Sequence, residues 1–157
     1  MKRALALSIS ILAVLLLMPA SSGAIIQLDR GIAGARIGNT KAEVRAALGN
    51  PNRVRNGTND FGPFTVFRYR GGITVTFQGR TNVTAVTTTG LGDRTSRGVG
   101  VRSTENAVEQ RVPGVSCETF SGTRICQRGE GMPGELITAF FLRNGRVTRV
   151  TVGRVID

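Results

Sequence analysis

The sequence predicts an α+β fold: two tandem units, each of helices packed on a small antiparallel meander sheet, forming one platform. Three observations predict it. The chain matches itself at an offset of 64 residues, with thirteen identities over 65 gapless pairs running from Asp29 on Asp93 to Asp93 on Asp157. Each half opens on a capped helical signal. Each then passes into apolar alternation punctuated by glycine turns. The units are 25–92 and 93–157, with no separate linker.

Ahead of them stands a different kind of segment. Met1-Lys2-Arg3 is basic, Ala4 to Met18 is an uncharged, mostly apolar run of 15 residues, and Pro19 to Ala24 is small and chain-breaking. Ser22 and Ala24 fit the −3 and −1 positions of a cleavage site. Residues 1–24 therefore read as a secretory signal peptide, the run being short for a spanning helix; an uncleaved membrane anchor is the alternative. No cysteine follows the run, so no lipid anchor is expected. The expected location is secreted or in the cell envelope.

In unit 1, Thr40-Lys-Ala-Glu43 is a capping-box pattern, Val44, Ala47 and Leu48 make one apolar face, and Gly49-Asn50-Pro51 stops the helix. Unit 2 repeats this with Ser103-Thr104, Val108, Val112 and Pro113-Gly114. A shorter helical turn is expected before each. Strand signals follow at Phe64 to Arg70, Ile73 to Gln78 and Val83 to Thr88, and again at Leu136 to Arg143 and Arg146 to Val152. Gly71-Gly72 and Asn144-Gly145 supply two-residue turns between them. A single small sheet is marginal alone, so the units are expected to join as one eight-stranded or similar platform.

Cys117 and Cys126 flank Ser121-Gly122, another two-residue turn. Pairing outward from that turn brings 120 to 123 and 117 to 126, which predicts a cross-strand disulfide and fits an oxidising compartment. A redox-active pair is the sharper alternative, but the spacing is not CxxC.

Formal net charge is +11. Removal of Lys2 and Arg3 leaves 19 basic and 10 acidic residues, net +9, and 18 of the 19 are arginine. The charges are spread without a dense run, as on a solvated surface, although an anionic polymer is a possible partner. Nucleic acid is not expected. The chain has no His, so neither a Ser-His-Asp nor a Cys-His nucleophile can be built, and no Cys/His metal cluster exists. No cofactor, metal site or catalytic residue is expected. Glu118, Glu130 and Glu135 share one half without a reason in the sequence to converge.

The Gly71-Gly72 turn would pair Tyr69 with Thr74 and Phe67 with Thr76. Val66, Ile73, Val75 and Phe77 then share an aliphatic face under the helices, and Phe67, Tyr69, Thr74 and Thr76 share the other. The 64-residue offset carries the second face onto Thr138, Phe140 and Leu142. In the last strand, Val150 and Val152 suit the core, which turns Val147 and Arg149 outward. The expected binding face is Phe67, Tyr69, Thr76, Phe140, Leu142 and Arg149, with Glu135 on a rim loop. Burial of the same residues by packing of the two units is the competing reading.

The stretch Ile37-Gly-Asn-Thr40-Lys-Ala-Glu-Val44-Arg-Ala-Ala-Leu48-Gly49-Asn-Pro51 resembles the opening of the BamE/SmpA-like domain. Phe67-Arg-Tyr-Arg-Gly-Gly-Ile-Thr-Val-Thr-Phe77 and Asn82-Val-Thr84 resemble its strands. In tandem the units are similar to secreted β-lactamase-inhibitor proteins of the BLIP type, a pattern that Ser116-Cys117-Glu-Thr-Phe, Ile125-Cys126 and Gly134-Glu135-Leu-Ile-Thr-Ala-Phe follow. The first resemblance implies two helices on an antiparallel sheet in an accessory scaffold of outer-membrane assembly. The second implies a concave two-unit sheet that grips an enzyme. The chain departs from both: it has no lipobox, one disulfide in place of two, and Glu135, Leu136 and Ile137 where the inhibitors carry Asp with aromatics. The expected function is an exported, non-enzymatic protein-binding domain that recognises an envelope or secreted protein through its exposed sheet face. The alternatives are an inhibitor of a secreted hydrolase such as a β-lactamase and a cationic domain attaching to an anionic envelope polymer.

Overall fold

A computed structural model describes residues 25–79 and 81–156. The signal peptide expected at 1–24 lies outside the described residues. In the first half the order is β1 (Ile25–Gln27), β2 (Gly31–Ile32), β3 (Ala35–Arg36), α1 (Lys41–Leu48), β4 (Arg53–Asn59), β5 (Gly62–Arg68), β6 (Ile73–Gln78) and β7 (Ala85–Thr88). The second half supplies β8 (Arg94–Thr95), α2 (Glu105–Arg111), β9 (Val115–Phe120), β10 (Thr123–Arg128), β11 (Leu136–Arg143) and β12 (Arg146–Arg154). No helix among the described residues is long and apolar enough to cross a membrane.

This corrects the expected fold class. Strand dominates, in one eight-stranded sheet of order β4-β5-β6-β7-β12-β11-β10-β9 and a second of order β3-β2-β1-β8. The described residues hold two α-helices in all, not a set of helices on each small meander. The shorter helical turn expected before α1 is not found; Gly31–Ile32 and Ala35–Arg36 there form two-residue strands joined by a tight turn. Asp29, Ala33 and Gly34 take φ of 56°, 55° and 88°, which no right-handed helical turn accommodates. Gly31 faces Ala35 so closely that a Cβ there would overlap its carbonyl oxygen.

Both helices start as their sequences dictate. The Thr40 hydroxyl accepts the Glu43 N–H at 3.3 Å, and the Glu43 carboxylate accepts the Thr40 N–H at 2.7 Å, which closes the capping box. Thr104 caps α2 by accepting the Ala107 N–H at 3.2 Å. Each helix buries one valine completely, Val44 and Val108.

α1 packs by β3, α2 by β9 and β10, and β2 of the small sheet against β7 and β12. Between these layers lies the core. The cross-strand register runs Phe67–Val75–Val86–Val152–Thr138 through it, and beside it Ile73–Thr88–Val150–Phe140–Cys126–Cys117. Thr138 is the polar member of the first row, and it is satisfied: its hydroxyl donates to Asp29 at 2.8 Å and accepts the Asp29 N–H at 2.7 Å. Cys117 and Cys126 are disulfide-bonded across the β9–β10 hairpin. Ser121-Gly122 and Asn144-Gly145 make their turns with positive φ at all four residues.

Candidate functional site

The face of the large sheet turned away from the helices is built by strand alternation. Arg53, Arg68, Thr74, Thr87, Thr151, Ala139, Gln127 and Ser116 form one row across all eight strands. Arg55, Val66, Thr76, Ala85, Gly153 and Ile137 form a second. Arg149, Phe141, Ile125 and Glu118 form a third at the second half's end. Val66, Thr74, Thr76, Thr87, Ile125, Ile137, Phe141 and Thr151 are half-buried, and Arg53, Arg55, Arg68, Arg149 and Glu118 are exposed. Neither helix packs on this face, but the loop after β10 reaches its β10–β11 part, where Gln127 Nε2 donates to the Gly129 carbonyl at 3.1 Å and a Cβ on Gly129 would lie 2.8 Å from Ile137 Cγ2.

Its chemistry is graded. The middle is short: Thr87 and Thr151 share a hydroxyl hydrogen bond of 2.9 Å where β7 meets β12. Arginines crowd the β4–β5 end, where Arg53 stands directly opposite Arg68 and the Arg55 guanidinium lies 5.4 Å from the Phe64 ring centre. Toward the other end Arg149 stacks on Phe141 at 3.8 Å. A cavity of about 660 Å³ opens beyond it, with Glu118, Glu130 and Glu135 in its lining.

The predicted site residues divide. Thr76 and Arg149 are on the free face. Phe67, Phe140 and Leu142 are not: they are 1%, 0% and 6% exposed on the helix-covered side. Tyr69 also packs against the core, and its hydroxyl is buried with no hydrogen-bond partner among the described residues. Burial raises its pKa, opposed by the nearby Arg45 charge. Val147, expected to face out, is 1% exposed. Glu135 braces the loop before β11, accepting the Met132 N–H at 3.0 Å and the Glu130 N–H at 3.2 Å. Those backbone N–H groups hold its carboxyl below the ordinary carboxylate range.

Three local events explain the corrections. The β5–β6 connection is not a two-residue Gly-Gly turn; Arg70–Gly72 form a short 3₁₀ turn, and Arg68, not Tyr69, pairs with Thr74. A slip of one residue inverts every side chain of β5. In β11 the residue placed like Thr74 is Ala139, since Thr74 meets Thr87 and Ala139 meets Thr151. The offset is therefore 65 there, and Phe141 rather than Phe140 faces out. A register shift between Phe141 and Leu142 leaves Thr148 as the extra residue opposite, which returns Val147 to the core.

The sequence reading missed Arg53, Arg55, Arg68, Ile125, Ile137 and Phe141. Strand β4, Arg-Val-Arg-Asn-Gly-Thr-Asn, has no apolar alternation to reveal it. In β11 both alternating sets are apolar, so alternation could not choose between them.

Glu105 lies with its carboxylate near the two cysteine sulfurs, all within 4.8 Å. The sulfurs are bonded to each other, and Glu105 accepts from the Arg124 guanidinium at 2.9 and 2.5 Å, which lowers the Glu105 pKa. That cluster ties α2 to β10 and offers no free ligand set.

No protein-family description matches the chain, and no curated protein matches it. Three solved structures do. A DUF4309 family protein from Bacillus subtilis subsp. subtilis str. 168 is 17% identical, with a TM-score of 0.49 over 78% of this chain and 84% of that one. An extracellular protein containing a SCP domain from Bacillus anthracis str. Ames is 11% identical, with a TM-score of 0.46 over 75% of this chain and 44% of that one. A cysteine-rich secretory protein from Staphylococcus aureus subsp. aureus Mu50 is 10% identical, with a TM-score of 0.48 over 75% and 44%. The chain thus spans less than half of the last two. Likeness at this level assigns neither a family nor a function.

Proposed function

We propose that this is an extracytoplasmic, non-enzymatic protein-binding domain that recognises an envelope or secreted protein through the helix-free face of its eight-stranded sheet. One observation carries the reading: an eight-strand face of half-buried Thr, Val, Ile and Phe with rim arginines has neither helix packed on it. The aromatic and arginine side chains on that face suit a protein interface. The rigid sheet limits the ordering that binding would otherwise require. The Cys117–Cys126 disulfide fits an oxidising compartment.

The reading also takes 25–92 and 93–157 as two related units that share one surface. Thr40 and Thr104 cap the helices, Thr87 and Thr151 meet at the centre of the sheet, and both pairs stand 64 positions apart. One partner would then touch both units. Inhibition of a secreted hydrolase, as the BLIP-type resemblance implies, is the narrower form of this reading.

Attachment to an anionic envelope polymer is the second reading. The observation that favours it is that the described residues form two salt bridges, in a chain of formal charge +11.

The test is capture of host envelope and secreted proteins by the purified protein and by an Ile137→Asp/Phe141→Ser variant, each checked for folding by circular dichroism. A protein held at high salt by the wild type and lost by the variant supports the sheet-face reading. Equal capture by both baits, released by salt, contradicts it and favours the polymer reading.

A further inference from the structure

The β4 end of the sheet has three features that belong together. β4 is an outer strand: it pairs with β5 over seven consecutive positions, Arg53–Arg68 to Asn59–Gly62, and its other edge meets no strand among the described residues. It holds no proline and no register shift, and all its residues but Gly57 are exposed. A regular open edge is a template for another strand.

The second feature is charge. Arg53 and Arg68 are direct cross-strand partners, and Arg55 lies two residues along on the same face. Like charges placed opposite each other are unfavourable. Among the described residues no carboxylate forms a salt bridge with any of the three.

The third is preorganisation. Gly57 is the cross-strand partner of Phe64, and a Cβ there would lie 2.5 Å from the ring's Cζ. The missing side chain lets the ring lie across β4, and Arg55 rests against it at 5.4 Å. The guanidinium is thus held on the sheet surface beside the open edge, which leaves less of its freedom to be lost on forming a forked contact.

We propose that the β4 edge accepts an extended acidic segment of the partner protein as a ninth strand, its carboxylates at alternate positions meeting Arg53 and Arg55, with Arg68 flanking. Alternate residues of a strand lie about 6.8 Å apart, the repeat that Arg53 and Arg55 share. This inference rests on the sheet-face reading and names the chemistry of its partner.

The test uses a dye-labelled, end-capped peptide, Thr-Glu-Val-Glu-Val-Glu-Thr, titrated with the purified protein and followed by fluorescence anisotropy. Two further peptides carry N-methyl groups, one on its glutamates and one on its valines. Only one of these sets can face β4. The expected results are binding of the parent, loss of binding by one methylated peptide but not the other, and weakening of about tenfold or more in Arg53→Gln/Arg55→Gln. That variant should keep its thermal midpoint, since both side chains are exposed. Absence of parent binding, equal binding of both methylated peptides, or unchanged affinity in the arginine variant each overturns the inference. If any of these is found while partner capture still depends on Ile137 and Phe141, strand addition fails and the sheet-face reading stands.

Discussion

Replacing Phe67 by alanine tests the register on which the candidate face depends. Phe67 is 1% exposed. Its ring meets Phe77 edge-on at 4.9 Å, and the Arg45 guanidinium covers it at 4.7 Å. Truncating a buried phenylalanine costs about 3–5 kcal/mol through lost transfer energy and the cavity left behind. For a chain of this size each kcal/mol moves the thermal midpoint by about 3–5 °C, so Phe67→Ala should lower it by about 10–20 °C. Val66, its neighbour, is half-buried on the free face, and Val66→Ala should cost about 1 kcal/mol or less. Urea titration and thermal circular dichroism on both variants, disulfide intact, read the difference directly. The Gly71-Gly72 turn that the sequence suggests would exchange these roles. Near-neutral Phe67→Ala together with a costly Val66→Ala would refute the observed register and the face built on it.

Three other outcomes follow from the same structure. Reducing Cys117–Cys126, which closes a loop over a sequence separation of nine, should destabilise the fold by about 2–3 kcal/mol, read as a lower urea midpoint in dithiothreitol. Tyr69→Phe removes a buried hydroxyl without a partner and should leave stability unchanged or raise it by about 1 kcal/mol; a loss of that size would reveal a hydrogen bond. Glu43, Glu105 and Glu135 all have lowered pKa values, held respectively by Thr40, Arg124 and backbone N–H groups. Lowered carboxyl values contribute stability above the ordinary value of 4.5 that is lost as pH falls through the folded values, so these three groups should make the urea midpoint drop as pH falls below 4.5. Glu105→Gln should shallow that drop.

Much of the local structure was legible. Thr40, Glu43 and Thr104 announce the helix starts because capping is short-range chemistry. Ser121-Gly122 fixes its hairpin because a two-residue turn leaves one register, which places Cys117 opposite Cys126; Asn144-Gly145 sets only the pairs Arg143–Arg146 and Leu142–Val147 before the shift at Phe141. Gly71-Gly72 misled for the opposite reason. Glycine permits several turns, and the chain uses Tyr69–Gly72, with the Tyr69 N–H donating to the Ile73 carbonyl at 2.9 Å. One residue of difference inverted β5 and with it the proposed face. Alternation in β12 separates Arg149 from Val150 and Val152. In β11, by contrast, Ile137, Ala139 and Phe141 are as apolar as Phe140 and Leu142, and the pairing with β12 decides the face. Strand β4 was invisible because an edge strand, with little to bury, needs no hydrophobic period.

The central claim is that the partner lies on the helix-free face. A photo-crosslinking residue placed at Thr76, on that face, and separately at Ala46, on the exposed surface of α1, tests it in the host's own envelope and medium. The account predicts one crosslinked protein from position 76 and none from 46. Crosslinking from 46 alone, or of the same protein equally from both, would contradict it.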